Sequence, residues 1–140
     1  MTPFSRIIGG DCNDVREEEE MLDHTAVNVT DFERGKSFYS KALEPLGYSM
    51  ALEVGEFAGF ADSSGFNFGM FRRDPAGGAH VAFACPDHAT VDAFYEAAMA
   101  AGGKDNGAPG IRAHYHENYY GAFVHDPDGN NIEAVCQKPQ

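Results

Sequence analysis

The sequence is poor in basic residues and has no long apolar run. Ten lysine and arginine residues stand against 22 aspartate and glutamate residues, and the formal net charge is −12. Nucleic-acid binding needs clustered positive charge, so this composition argues against that function. No apolar stretch approaches membrane-spanning length and the N-terminus has no continuous apolar core, so we expect neither a membrane span nor a secretory signal.

Cysteine is scarce as well. The three cysteines, Cys12, Cys85 and Cys136, cannot all pair with one another, and no two of them have the spacing of a metal-binding knuckle. Cys85 and Cys136 lie in apolar, strand-like segments, which predicts buried free thiols in a reducing compartment. We therefore expect a cytoplasmic protein.

The chain does contain enough apolar material for one folded domain. Its 140 residues are 43% hydrophobic and include 11 phenylalanines, which fits a single globular domain with a real core. Residues 1–20 stand apart, because they end in an acidic run and match no other segment. We interpret them as a mobile N-terminal extension and residues 21–140 as a single domain.

An internal repeat relates the two halves of this domain. The eight residues that begin at His24 match the eight that begin at His80, at an offset of 56. Near the ends of the two copies the offset is 64, which aligns Gly69 with Glu133. Two copies of one unit, each beginning with a histidine, predict a pseudo-twofold site where the halves meet.

Each copy shows the same order of predicted elements, namely a strand, a helix and three strands. Alternating apolar residues indicate the strands, and apolar residues at helical spacing after an aspartate N-cap indicate the helices. The strands are predicted at residues 22–29, 48–54, 56–62, 67–72, 79–85, 104–112, 119–125 and 131–137, with helices after Asp31 and at 89–101. The modules therefore span about 22–72 and about 79–137.

These features resemble the vicinal oxygen chelate superfamily of glyoxalases, bleomycin-resistance proteins and extradiol dioxygenases. The paired units begin with His24 and His80, the first helix carries Asp-x-x-Arg and Phe-Tyr, and the segment Asp-Pro-Asp-Gly-Asn-Asn-Ile-Glu ends at Glu133. The resemblance covers residues 22–137. It implies an α+β fold in which two βαβββ modules form a curved eight-stranded mixed sheet around one cavity, and it implies a homodimer.

The resemblance also implies a bound divalent metal. His24, His80 and Glu133 match three of the family's four ligand positions, and the fourth falls on Gly69, which has no ligating side chain. Two imidazoles and one carboxylate with open coordination positions suit Fe(II), and the same set can hold Mn²⁺, Ni²⁺ or Zn²⁺. Such a metal would stabilise the oxyanion that develops on a small-molecule substrate.

These residues predict a metal-dependent enzyme that resembles lactoylglutathione lyase-type glyoxalases in the broad sense and acts on a small oxygen-rich substrate. One alternative is an Fe(II) extradiol-type dioxygenase, although Phe123 stands where those enzymes carry a tyrosine. The other is a metal-free small-molecule-binding protein of the bleomycin-resistance type, in which the two histidines are only hydrogen-bonded inside the fold.

A polar and aromatic run at residues 112–120 supplies the remaining candidates for chemistry. His116 or His114 would act as a general acid or base near neutral pH. Tyr119 or Tyr120 would donate a hydrogen bond to a substrate oxygen. With Glu133 as a proton shuttle, the predicted catalytic set is Glu133, His116 and Tyr120.

Overall fold

The computed structural model of the chain describes residues 21–140, so the predicted extension over residues 1–20 lies outside the described residues. The described part contains two successive βαβββ modules. Strands β1 to β4 are Thr25–Val29, Ser49–Val54, Phe57–Asp62 and Gly65–Arg72, and strands β5 to β8 are His80–Ala84, Lys104–Ile111, Tyr120–His125 and Asn131–Cys136. Helix α1 is Phe32–Ala42, a short 3₁₀ helix is Glu44–Leu46, and helix α2 is His88–Ala100.

Both helices begin at an aspartate that follows the first strand of its module. The Asp31 carboxylate accepts the backbone N–H of Arg34 at 3.0 Å, and the Asp87 carboxylate accepts that of Thr90 at 2.8 Å. Both caps have extended backbone conformation, so each ends a strand and satisfies a free N–H of the helix. Neither helix of the described part is long and apolar enough to cross a membrane.

The eight strands are divided into two four-stranded mixed sheets. Their orders are β1-β4-β3-β2 and β5-β8-β7-β6. The first and last strands of each module pair in parallel, and the other neighbours are antiparallel. The expected α+β class with two βαβββ modules is therefore confirmed, and β1 and β5 are each the edge strand of a separate sheet.

One face of each sheet packs against the helices in a core that the two modules share. The rings of Phe68 from β4 and Phe83 from β5 lie 5.3 Å apart and join the two sides. The largest buried side chains of this core are Val29, Phe38, Tyr39, Leu43, Phe60, Phe68, Met70, Val91, Phe94, Val124 and Ile132. Strand side chains alternate between faces, so each sheet has this core face and an opposite one, which we call the site face.

A buried carboxylate fastens the second module to the first. Asp126 is 2% exposed and accepts the phenolic O–H of Tyr39 from α1. It also accepts the backbone N–H groups of Asp128 and Asn130, both at 2.9 Å, and the Asn130 side-chain amide at 2.8 Å. Burial and the neighbouring negative charge of Asp126 hold the pKa of Tyr39 well above its usual range. The phenol therefore stays protonated and donates.

The turn that follows Asp126 makes further contacts with the first module. The Thr30 hydroxyl donates to Asp128 at 2.6 Å, and the Arg34 guanidinium lies 3.3 Å from the same carboxylate. The Asn130 amide also donates to the backbone carbonyl of Asn28 at 3.1 Å. These bonds fix the turn between β7 and β8 against the end of β1 and the start of α1.

Tyr39→Phe should lower the free energy of unfolding by about 2 kcal/mol, because it leaves a buried carboxylate without one of its donors. Urea unfolding followed by circular dichroism measures the change. Tyr95→Phe is the matched control, since the Tyr95 hydroxyl donates to Asp105 at the surface, and we expect it to cost less than about 0.5 kcal/mol. Equal losses in the two variants would contradict the role assigned to Asp126.

Candidate functional site

The site face of the second sheet gathers the predicted carboxylate and one predicted histidine. Glu133 of β8 lies opposite Phe123 of β7 and beside Ala82 of β5 in the strand register. His80 begins β5 and turns its ring to the same face, where its Nε2 lies 2.8 Å from Glu133 Oε1. We call this group, with Tyr119, Phe123 and Arg112, the second half-site.

Glu133 is held by two side chains although it is nearly inaccessible to solvent. Its side chain is 2% exposed, whereas that of His80 is 56% exposed. The Tyr119 hydroxyl donates to Oε2, and His80 contacts Oε1. Burial, and then the hydrogen bond to Glu133, raise the pKa of Tyr119 well above its usual range, so the phenol remains a donor. One carboxylate oxygen is thus fixed by a phenol while the other faces an accessible imidazole.

An aromatic ring and a guanidinium border this carboxylate. The Arg112 guanidinium lies over the Phe123 ring at 5.4 Å from its centroid and donates to the backbone carbonyls of Ala108 and Gly110, both at 2.8 Å. The His80 and Phe123 ring centroids are 6.4 Å apart. The second half-site therefore contains a carboxylate, an imidazole and a phenol next to the Phe123 ring. The positively charged Arg112 guanidinium lies over that ring and is held by two backbone carbonyls.

Tyr120, one of the predicted catalytic residues, lies on the core face of β7. Its hydroxyl donates to Asp92 of α2 at 2.7 Å, and its ring stacks on His88 at 3.7 Å. The hydrogen bond to Asp92 raises the pKa of Tyr120. Because neighbouring residues of a strand point to opposite faces, Tyr119 rather than Tyr120 reaches Glu133.

His116, the other predicted acid or base, lies in the exposed loop between β6 and β7. Its Nδ1 accepts the backbone N–H of Asn118 at 3.1 Å, which is a contact within the loop. His114 packs its ring against Tyr115 at 4.2 Å, and Tyr115 in turn lies 5.0 Å from Tyr119. The structure thus brings Glu133 and His80 together and leaves His116 in contact with its own loop.

His24 lies at the start of the first sheet, away from that pair. Its Nδ1 is 2.8 Å from the carboxylate of Asp23, its ring lies 5.3 Å from that of Phe66, and its side chain is 56% exposed. Among residues 21–140, no group of three or more His, Cys, Asp or Glu side chains is placed to hold a metal ion. Within one chain, therefore, His24 does not complete a ligand set with His80 and Glu133.

Phenylalanine rings occupy the site face of the first sheet where a ligand would stand in the second. A side chain at Gly69 would begin 2.7 Å from Phe57 Cε1, so the Phe57 ring lies directly over this glycine. Phe57 also packs against Phe66 and Phe71, with ring centroids 6.1 and 4.6 Å away. We call His24, Gly69 and these three phenylalanines the first half-site.

A cleft of about 720 Å³ opens beside His24, between the edge strands β1 and β5. Its lining includes Phe66 and Asn67 from β4 and Ala82 and Ala84 from the site face of β5. The lining also includes larger side chains, namely Tyr48, Phe68, Val81 and Phe83. His24 is therefore accessible from a cavity large enough to admit a small molecule.

The sequence offered Tyr119 and Tyr120 as alternative donors to a substrate oxygen, and it did not indicate that the Tyr119 hydroxyl bonds to Glu133. The alternation of side chains along a strand could have separated the two tyrosines. Tyr119 precedes Phe123 by an even number of residues, so the two side chains point to the same face if the strand extends back to Tyr119. No pattern in the sequence indicated that the Phe57 ring lies over Gly69. It depends on which residues of β3 and β4 are paired, and here Gly59 pairs with Gly69.

Comparisons with known proteins agree with the fold described above. A family model described as the Glyoxalase/Bleomycin resistance protein/Dioxygenase superfamily matches residues 21–134. The crystal structure of a glyoxalase/bleomycin resistance protein from Albidiferax ferrireducens T118 is similar, with a TM-score of 0.74 and 31% identity over 86% of this chain and 100% of that chain. No match was found among curated proteins.

Two further solved structures share the fold at lower identity. Lactoylglutathione lyase from Agrobacterium tumefaciens has a TM-score of 0.63 and 18% identity over 85% of this chain and 97% of that chain. A glyoxalase/bleomycin resistance protein/dioxygenase family enzyme from Burkholderia phytofirmans PsJN has a TM-score of 0.65 and 18% identity over 84% and 98%. With the family match over most of its length, the chain belongs to the glyoxalase/bleomycin resistance protein/dioxygenase superfamily.

Proposed function

We propose that this protein is a divalent-metal-dependent enzyme, related in the broad sense to lactoylglutathione lyase-type glyoxalases, that acts on a small oxygen-rich substrate. Its metal ligands are His80 and Glu133 of one chain and His24 of a second copy. The observation that carries the proposal is the buried Glu133 carboxylate, which is fixed by Tyr119 and lies 2.8 Å from an accessible imidazole of His80.

The donor set fits a divalent cation. Imidazole nitrogen and carboxylate oxygen are ligands that Fe(II), Mn²⁺, Ni²⁺ and Zn²⁺ all accept. His80 Nε2 and Glu133 Oε1 already converge, and the exposed His80 ring leaves a path of approach. When bound, a divalent cation supplies Lewis-acid polarisation of neighbouring oxygens.

The surrounding residues have separable roles in this scheme. Tyr119 holds Glu133 Oε2 and so presents Oε1 in a defined orientation. Glu133 is also the group that would accept and return a substrate proton. Phe123 and the buried position of the carboxylate limit access of water to that oxygen. Tyr120 is not assigned a catalytic role, since its hydroxyl is directed to Asp92.

A homodimer would complete the site. The six residues of β2 are all exposed, and the apolar side chains of Leu52, Val54 and Phe66 are 47%, 62% and 38% exposed. Both predicted histidines are more than half exposed, so each half-site of one chain is open. A second copy that sets its second sheet against the first half-site would cover these surfaces and unite the three ligands.

The hydrogen bond between His80 and Glu133 also favours a second candidate function. These two groups satisfy one another without a cation. With glycine at the fourth ligand position and phenylalanine rings around it, the alternative is a metal-free protein that binds small apolar molecules. The Fe(II) dioxygenase alternative has less support, because Phe123 supplies no phenol.

We propose a reducing compartment, and hence the cytoplasm, from the thiols. Cys85 and Cys136 are both free and buried. Burial raises the pKa of Cys85 to about 12, because the thiolate is poorly solvated there. Buried free thiols are typical of compartments in which disulfides do not form.

Protein purified without chelators should contain about one divalent metal ion per chain, as measured by elemental analysis. His80→Ala should lower the metal affinity by at least about tenfold, because it removes an inner-sphere nitrogen. His114→Ala is the matched control, since this histidine packs its ring against Tyr115 of its own loop. An unloaded protein, or equal metal content in the two variants, would favour the metal-free binding protein.

The two-chain site makes a distinctive prediction for mixed variants. His24→Ala and His80→Ala homodimers should each bind metal poorly. After the two proteins are unfolded together and refolded, about half of the dimers are mixed and each of those has one intact site, so about a quarter of the sites should recover. Metal titration of the mixture measures this. No recovery would indicate that all ligands come from one chain.

Tyr119→Phe should weaken metal binding by about 10- to 100-fold, because Glu133 loses the donor that orients it. Tyr120→Phe removes a hydroxyl from the neighbouring residue on the other face and should leave metal binding unchanged. Calorimetric titration with Zn²⁺ compares the two. The assignment of Tyr119 fails if both variants bind as tightly as the unaltered protein.

A further inference from the structure

We propose that Cys85 and Cys136 are a redox-modification site, at which a peroxide converts the two thiols into a disulfide that joins β5 to β8. Cys136 is the thiol that the peroxide reaches first, and Cys85 is the thiol that completes the bond. Both side chains belong to the core that the modules share, so this site is separate from the two half-sites. The modification needs no bound metal and is independent of the proposed enzymatic function.

The pairing of β5 with β8 places the two cysteines side by side. The last paired residues of this parallel ladder are Ala84 and Val135, and the backbone N–H of Cys85 continues it by donating to the Val135 carbonyl at 2.8 Å. Cys85 and Cys136 therefore occupy the next pair of positions. Adjacent strands lie about 4.8 Å apart, and the Cα atoms of disulfide-bonded cysteines lie about 4.4 to 6.8 Å apart. The backbone thus holds the two residues at a separation that a disulfide spans.

Both cysteine side chains point to the same face of the second sheet. Cys85 follows Phe83 by two residues, Cys136 follows Ala134 by two, and all four are buried in the shared core. Burial raises the pKa of Cys85 to about 12, and Cys136 is near enough to add to this rise. Both thiols are free, so the structure shows the pair in its reduced form.

Residues 137–140 cover the sulfur of Cys136 through long contacts. The Cys136 thiol donates to the Lys138 carbonyl at 3.8 Å, and the Gln140 side-chain amide donates to the sulfur at 3.8 Å. The amide oxygen of Gln140 accepts the backbone N–H of His88 at 3.5 Å, which attaches this segment to the start of α2. All four residues of the segment are exposed. Because an exposed segment with long hydrogen bonds opens locally without unfolding of the domain, a small oxidant reaches the Cys136 sulfur.

Cys85 is suited to the second step of the reaction and not to the first. Its thiol lies 3.7 Å from the carbonyl of Phe83 inside the core, and its raised pKa keeps it protonated at neutral pH. Since the thiolate is the reactive form, such a thiol reacts slowly with a reagent from solution. A partner on the adjacent strand replaces that encounter with an intramolecular step, which offsets the low thiolate fraction.

One molecule of hydrogen peroxide oxidises one pair of thiols. The Cys136 thiolate attacks a peroxide oxygen, the O–O bond breaks, and the departing hydroxide takes up the thiol proton and leaves as water. The Cys85 sulfur then attacks the sulfenic acid on Cys136, the S–O bond breaks, and a second water carries away the Cys85 proton. The two sulfurs together lose two electrons, which the peroxide gains. A thiol reductant reverses the change.

Peptide mapping of the full-length protein tests the proposal. After treatment with hydrogen peroxide, free thiols are blocked with N-ethylmaleimide in denaturant and the digest is analysed by mass spectrometry. We expect peptides linked through Cys85 and Cys136 in chains that remain single on a denaturing gel, and dithiothreitol should remove the link. The Cys12→Ser variant should form the same link. A disulfide that includes Cys12, two thiols that stay free, or Cys136 that stops at an oxidised acid would overturn the proposal.

Single variants assign the order of the two steps. Cys85→Ser should stop at a sulfenic acid on Cys136, which the trapping reagent dimedone labels. Cys136→Ser should leave Cys85 as a free thiol. Equally fast labelling of the remaining thiol in the two variants would overturn the assigned order. The disulfide itself is measured on the unaltered protein, so poor folding of either variant leaves that result intact.

Gln140→Ala should speed disulfide formation by at least about threefold, because it removes the amide that covers Cys136 and the contact with His88. Gln137→Ala changes an exposed side chain of the same segment and is the matched control, which should leave the rate unchanged. The rates are measured by the same peptide mapping at successive times after addition of peroxide. Equal rates in the two variants would refute the opening of residues 137–140 as the step that admits the oxidant.

Discussion

The site depends on one constraint, which is that strand side chains alternate and one face of each sheet is committed to the shared core. Packing Phe68 against Phe83 turns both helix-bearing faces toward the same interior. Every second residue of the ligand-bearing strands must then point the other way. His80 and Glu133 reach the site face for the same reason that their strand neighbours Val81 and Ile132 pack toward the core.

The buried Asp126 carboxylate keeps the two modules in register. An isolated buried carboxylate is strongly disfavoured, and this one is stable because a phenol, an amide and two backbone N–H groups surround it. The phenol comes from Tyr39 in the first module, so the charge is fully satisfied only when the modules are docked. The same turn leads into β8, which carries Glu133. The position of Glu133 in the second half-site therefore depends on this contact between the modules.

Much of the fold follows from local sequence. The aspartates that cap both helices, the glycines at turns and the repeated pattern from His24 and His80 predict the order of elements, and the structure confirms that order. The arrangement of the site is harder to predict from the sequence. Tyr119 and Tyr120 differ by one position, and only the register of β7 decides which of them meets Glu133. The separation of His24 from the other two predicted ligands depends on how whole modules dock, which no local pattern encodes.

The difference between Gly69 and Glu133 has a physical reason in their surroundings. A side chain in the place of Gly69 would begin under the Phe57 ring and beside the Cβ of Ala26. Glu133 is tolerated in the second half because Tyr119 and His80 bond to both of its oxygens. Because the Phe57 ring would have to move to admit any side chain, a single change at Gly69 would not reproduce the surroundings of Glu133. Gly69 and the Phe57 ring that covers it are therefore coupled, and the two half-sites differ in several neighbouring residues and not at one position alone.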